Sequence, residues 1–197
     1  MSNNITDLVT HYYLSWGVSS PTDISLYLWD NAVNVSVVYR PGRTTSIPFR
    51  RATRVFCDGH KPILLRRVEI AHEIGHALLH TGEQEGMEHI YRGKQEHDAD
   101  TFSMEALMPE YLVRKSLQEA PYGRGQAEQY IAELYGVPLP FAARRLDVLL
   151  RKTREIYAQS APYCDYVVRD PVDRKWKYQM SLTGEVIGAI KQNRRGY

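Results

Sequence analysis

His72-Glu73-Ile74-Gly75-His76 is the stretch on which the reading of this chain turns. In a helix, residues four apart lie about 40° apart around the axis and about 6 Å along it, so two imidazoles at this spacing reach one ion. Glu73, beside the first histidine, then meets a water held by that ion. The pattern therefore carries a mechanism, with neutral ring nitrogens as ligands and a carboxylate as general base. Such a pentapeptide arises by chance in roughly one chain of this size and composition in 60, so its setting must be weighed too. Leu64, Leu65, Val68, Ile70, Ala71, Ile74, Ala77, Leu78 and Leu79 surround it, which predicts a helix buried on nearly every side. Burying two histidines and a glutamate without partners costs on the order of several kcal/mol, and a bound ion removes most of that cost. The competing reading is a pair of core histidines satisfied by backbone groups.

A third ligand is needed. Metzincins place Gly and then His three and six residues after the second histidine; Leu79 and Gly82 stand there, so that class is excluded. Downstream, Glu96-His97-Asp98-Ala99-Asp100 sets Glu96 and Asp100 on one face of a second helix, with Phe102, Ala106 and Leu107 on its apolar side. Glu96 is assigned to zinc. Asp100 is assigned to the far ring N–H of a ligating histidine, whose tautomer and orientation it would fix. His89, His97, Asp98 and Glu88 compete for the third position but lack the helical pairing with an orienting acid. Residues 83 to 95 read as a loop between the two ligand helices. It carries His89 and Tyr91, each a candidate to polarise a scissile carbonyl, against the simpler reading of a surface loop. His80 lies too far along the axis to join the same ion and is expected to pack or to bond late helix carbonyls.

The run Ala71 to His80, then Glu96-x-x-Ala99-Asp100-x-Phe102, then Leu107-Met108-Pro109, resembles the ImmA/IrrE family of metallopeptidases in order and spacing. Ile131 to Val137 and Ala143-Arg144-Arg145-Leu146 resemble the helical segment that follows. The resemblance covers roughly residues 22 to 150. It implies a small gluzincin-like fold, zinc on His72, His76 and Glu96, and Glu73 as catalytic acid/base. It also implies a substrate class, DNA-binding repressor proteins cleaved to switch on stress-response or mobile-element genes. Ser103 departs from the alanine usual there; both are small. Residues 160 to 197 match no family.

With 197 residues and 43% apolar content, the chain can bury one good core plus a small appendage. A net charge of +2 gives no case for a general nucleic-acid binder. The charges are uneven: Arg40, Arg43, Arg50, Arg51, Arg54, Lys61, Arg66 and Arg67 precede the motif, whereas Glu83, Glu85, Glu88, Glu96, Asp98, Asp100 and Glu105 follow it. The basic cluster is either a solvated sheet edge or a dock for an acidic face of a protein substrate. Cys57 and Cys164 stand alone, which fits a reducing compartment and zinc held without thiolates. Neither a signal peptide nor a membrane-length apolar run is present, so a cytoplasmic protein is expected.

Helices are expected near 4 to 16 and near 21 to 31, the second opened by Ser20, Pro21 and Asp23. Alternation over Val33 to Tyr39 and short segments near 44 to 49 and 53 to 57 predict a small sheet before the motif helix, which Gly82 would cap. That order places an edge strand beside the metal, where an extended substrate could add as another strand. Helices follow over 110 to 118, 126 to 135 and 140 to 151 or a little beyond, and short strands with a Thr183-Gly184 turn over 163 to 190. The expected class is α+β: a zincin-like metallopeptidase domain with a small twisted β-sheet packed on helices (1–155, core 22–110, helical extension 110–155), then a β-hairpin-like appendage (156–197) that either packs on the domain or recruits a partner. Two rivals are carried. One is a DNA-binding regulator built on the helical break at 136 to 140, although 141 to 150 offers only Arg144, Arg145 and Asp147 as readers. The other is a zinc-stabilised interaction module without catalysis, which would have no need of Glu73.

Overall fold

The structure, a computed structural model, describes residues 2–49, 52–80, 89–121, 123–159, 166–169, 176–180 and 186–191. The fold is α+β, and the chain divides into two compact units, Met1–Val113 with Leu134–Pro138, and Arg114–Glu133 with Leu139–Tyr197.

The first unit opens with α1 (Ser2–Ser15), a single 3-10 turn (Pro21–Asp23) and α2 (Leu28–Val33). The helix expected over 21 to 31 is thus split. Its start forms as the sequence predicts, with the Asp23 carboxylate accepting the N–H groups of Ser19 at 2.9 Å and Ser20 at 2.8 Å. Ile24 then turns inward to near-complete burial with extended dihedrals, φ −73 and ψ 110, and takes the backbone off the helical track.

Three strands follow: β1 (Val35–Tyr39), β2 (Thr45–Phe49) and β3 (Ala52–Cys57). They lie in the order β1-β3-β2, β3 running parallel to β1 and antiparallel to β2. The registers put Val37, Val55 and Ser46 on one face of this sheet, and α3 (Ile63–Leu79) covers that face. Val55 and Cys57 are fully buried. The motif helix is less enclosed than its composition predicts. Burial is confined to Ile70, Ala71, Ile74, Gly75 and His76, the turns that meet sheet and helix, while Ile63, Leu64 and Leu65 in the first turn are exposed. The helix ends at Leu79, His80 being extended with its N–H on the His76 carbonyl; Gly82 lies outside the described residues.

Helix α4 (His89–Leu107) packs against α3. The expected loop over 83 to 95 is therefore helical from His89 onward, and residues 83 to 88 lie outside the described residues. Gly75 permits this approach: a Cβ there would stand 3.1 Å from Ala99 Cα and 3.1 Å from Phe102 Cβ. Trp29 also meets Phe102 edge-on at 4.8 Å, and the Trp29 Nε1–H donates to the Tyr13 oxygen at 3.2 Å. The Tyr13 hydroxyl in turn donates to the Ala106 carbonyl. Burial pushes that hydroxyl far above its ordinary range. Glu105, also buried, accepts the Thr6 hydroxyl at 2.9 Å and the Glu110 N–H at 3.1 Å, tying α1 and the start of α5 (Glu110–Glu119) to α4. These bonds settle an otherwise costly buried carboxylate.

The second unit holds most of α6 (Arg124–Tyr135), α7 (Leu139–Gln159) and a meander of β4 (Tyr166–Arg169), β5 (Trp176–Met180) and β6 (Val186–Lys191), with β6 against α7. Helix α6 ends at Gly136, whose φ of +58 is the left-handed conformation that closes helices. Within the first unit, Arg67 Nη1 donates to the Tyr135 and Gly136 carbonyls, each at 2.9 Å. The turn expected at Thr183-Gly184 lies outside the described residues. Among the described residues, no helix is long and apolar enough to cross a membrane.

Candidate metal centre

Four-residue spacing on α3 sets the His72 and His76 rings 4.7 Å apart, with their Nε2 atoms 3.0 Å from each other. From α4, Glu96 brings Oε2 to 3.3 Å from His72 Nε2 and Oε1 to 3.7 Å from His76 Nε2. A tetrahedral ion with bonds of about 2.0–2.1 Å holds its donors about 3.3 Å apart. The three separations, the two to Glu96 reaching different oxygens of its carboxylate, lie near that value, so this donor set fits a divalent ion. Among the described residues these three form the one cluster of its kind. Exposure is uneven, since Glu96 leaves 49% of its side chain open and His76 only 9%.

Asp100 completes the geometry. Its Oδ1 lies 3.0 Å from His72 Nδ1, so the Nδ1–H donates to the carboxylate and the Nε2 lone pair is left facing the centre. Burial opposes protonation of His72, but the Asp100 hydrogen bond and the charges of Asp100, Glu73 and Glu96 outweigh it, and its affinity for a proton ends above the ordinary value. His76 is shifted down, first by burial and then by the neighbouring His72. Two like rings 3.0 Å apart at Nε2 cannot both be cationic at small cost, and a shared metal resolves the conflict.

Glu73 stands between the two histidines in sequence, and its Oε2 accepts the Ser46 hydroxyl from β2 at 2.6 Å. One turn earlier, Glu69 accepts the Thr44 hydroxyl and pairs with Lys61 at 2.6 Å. Two hydroxyls of the β2 segment thus meet two carboxylates of α3. His80 bonds the Gln95 carbonyl through Nε2 at 3.1 Å. The ring thus fastens the end of α3 to α4, while the backbone N–H stays on the His76 carbonyl.

The structure brings His72, His76, Glu96 and Asp100 together, as the helical spacing predicts. It leaves His97 and Asp98 out of the cluster. Glu88 and the side chains of His89 and Tyr91 lie outside the described residues. Of the basic cluster, Lys61 is spent on Glu69 and Arg67 on the Tyr135 and Gly136 carbonyls, while Arg40 and Arg54 stack over Phe56 and Phe49; Arg50 and Arg51 lie outside the described residues. Sequence reading missed Ser46, for which strand alternation gave no distinctive signal. It also missed the work of Gly75, although a glycine inside a buried helix costs about 1 kcal/mol relative to alanine and so marks a close approach.

Comparison with known proteins agrees with this geometry. Residues 31–147 match the peptidase family model described as the IrrE N-terminal-like domain. The phage-like element PBSX protein XkdA of Bacillus subtilis (strain 168) is 24% identical over 157 residues, covering 80% of this chain and 78% of that protein. The uncharacterized protein YqaB of the same organism is 20% identical over 160 residues, covering 81% of this chain and 92% of that one. With a family match over most of its length and a cluster able to hold a metal between the two helices that carry the motif, the chain belongs to the IrrE N-terminal-like, or ImmA/IrrE, family of metallopeptidase-like proteins.

Proposed function

We propose that this chain is a zinc-dependent endopeptidase of the cytoplasm that cleaves one protein target, a helix-turn-helix transcriptional repressor, and so releases stress-response or mobile-element genes. The observation that carries the reading is a carboxylate, Glu73, set beside a three-donor cluster of two imidazoles and one acid. Two histidines with one carboxylate form a catalytic donor set that keeps one position open, unlike the closed four-ligand sites that serve structure alone. His72, His76 and Glu96 would hold the ion, with Asp100 fixing the His72 ring. When bound, zinc supplies Lewis acidity toward a carbonyl oxygen and lowers the pKa of its water toward 7. Glu73 accepts the proton of the attacking water and returns it to the leaving amine. Among the described strands β2 pairs only with β3, so its free edge beside α3 can receive an extended segment of the target by backbone hydrogen bonds.

A DNA-reading function is disfavoured by the same helices that inspired it. Arg145 is buried and Asp147 pairs with Arg124 at 2.5 Å, which leaves Arg144 as the exposed cation of the 141 to 150 segment. A purely structural metal site is disfavoured by Glu73. The link to mobile elements draws on the printed name of the XkdA relative, a phage-like element protein. Co-expression with any helix-turn-helix repressor that an adjoining gene encodes tests the reading: such a repressor should be cut by the wild type and left intact by Glu73→Gln, with zinc near one per chain in both. Intact repressor with both forms would defeat it.

A further inference from the structure

We propose that Ser46 is the positioning residue of this site, its hydroxyl holding the Glu73 carboxylate while its backbone N–H receives the extended substrate. The inference rests on the peptidase reading and adds to it the element that couples substrate docking to the general base.

Two observations on β2 meet at this residue. The first is the bond from Ser46 Oγ–H to Glu73 Oε2, at 2.6 Å, across 27 positions of sequence. A charge-assisted bond of that length fixes one carboxylate oxygen, and with it the orientation of the whole group. The second is Pro48, paired in register with Thr53 of β3. Lacking an N–H, proline is tolerated in a ladder where its backbone points away from the neighbouring strand. Backbone direction repeats every second residue, so Ser46 also points to the free edge while Thr45, Ile47 and Phe49 bond to β3. Of the two outward residues within β2 only Ser46 has an N–H to give, so this stretch of edge offers one donor, followed by the carbonyls of Ser46 and Pro48. An incoming strand is registered on the residue whose side chain grips the base. Thr44 to Glu69 is the parallel bond one turn earlier; it secures the same strand on α3 but lies away from the cluster, which separates anchoring from positioning.

Removing the hydroxyl leaves the N–H in place, so the two roles separate in kinetics. With zinc-loaded full-length protein, and with casein and any helix-turn-helix repressor found beside the gene as substrates, Ser46→Ala should lower kcat roughly 10- to 100-fold, as loss of a hydrogen bond to a charged group does, with KM and zinc content unchanged. Ser46→Thr, which keeps the hydroxyl and suits a strand, should restore most of the rate. Full turnover in Ser46→Ala, or a loss that appears in KM alone, would overturn the assignment. A wild type that binds zinc yet cuts neither substrate counts against the peptidase reading, and crystal structures of zinc-loaded wild type and Ser46→Ala then decide Ser46 separately. A Glu73 carboxylate swung from the centre in the variant upholds its role, and one that has not moved refutes it.

Discussion

Gly75→Ala adds one methyl group at the point where the two ligand-bearing helices touch. The new carbon would stand 3.1 Å from Ala99 Cα and 3.1 Å from both Cβ and Cδ1 of Phe102. Carbon contacts are comfortable near 3.5–4.0 Å, so about half an ångström must be found at three atoms. None yields easily. Ala99 Cα is helix backbone, and Phe102 is fully buried against Trp29. Alanine gains about 1 kcal/mol over glycine in a helix, while forced overpacking costs about 1–3 kcal/mol, leaving a net loss of about 0–2 kcal/mol. For a chain of this size that lowers Tm by at most roughly 8 °C. The larger effect falls on the metal. Glu96 lies one turn before Ala99 and Asp100 immediately after it, so α4 carries both acids outward. Glu96 Oε1, already 3.7 Å from His76 Nε2, moves beyond the spacing a tetrahedral ion accepts, and zinc affinity should fall on the order of tenfold or more. Thermal unfolding of the metal-free protein and competition with a zinc-binding dye measure the two effects. An alanine variant that is more stable by the full helix-propensity gain and binds zinc as tightly as wild type would refute the idea that this contact sets the distance between the helices.

Asp100→Ala frees the His72 Nδ1–H and lets the ring turn, so zinc affinity should drop roughly 10- to 100-fold with little change in the metal-free fold; equal affinity in the dye competition would deny Asp100 its orienting role. The pH dependence of zinc binding follows from the shifts at the two histidines. Each must be neutral to ligate: His76, shifted down, sheds its proton first, and His72, shifted above 6.5, sheds it last. Affinity is therefore full above the raised His72 value and is lost as pH falls through it, by about tenfold per unit for one competing proton. An affinity that stays level while pH drops through 6.5 would contradict the shift.

The cluster was legible because its residues recur at helical spacing. His72 and His76 on one helix, and Glu96 and Asp100 on the next, are four apart, and that interval alone puts each pair on one face. Their meeting across α3 and α4 was inferable from the need of two histidines for a third donor. The pairing between sheet and helix was not legible. Ser46 reaches Glu73 because β2 is the antiparallel edge of the sheet, and strand order is a property of long-range packing that local alternation does not encode. Likewise, apolar composition at Leu64 and Leu65 looked like core, whereas burial on that helix begins only at Ile70. The helix expected over 21 to 31 failed for a similar reason: its N-terminal signals were sound, but burial of Ile24 outweighed propensity after one turn.

Zinc stoichiometry and affinity, measured side by side for the wild type and Glu96→Ala, test the central claim most directly. Two imidazoles from one helix and an acid from the next should take up one ion per wild-type chain, and removing the acid should weaken binding by at least about tenfold while the helical circular dichroism is retained. A wild-type protein that stays metal-free after loading with excess zinc, or a Glu96→Ala form that binds as tightly, would contradict it.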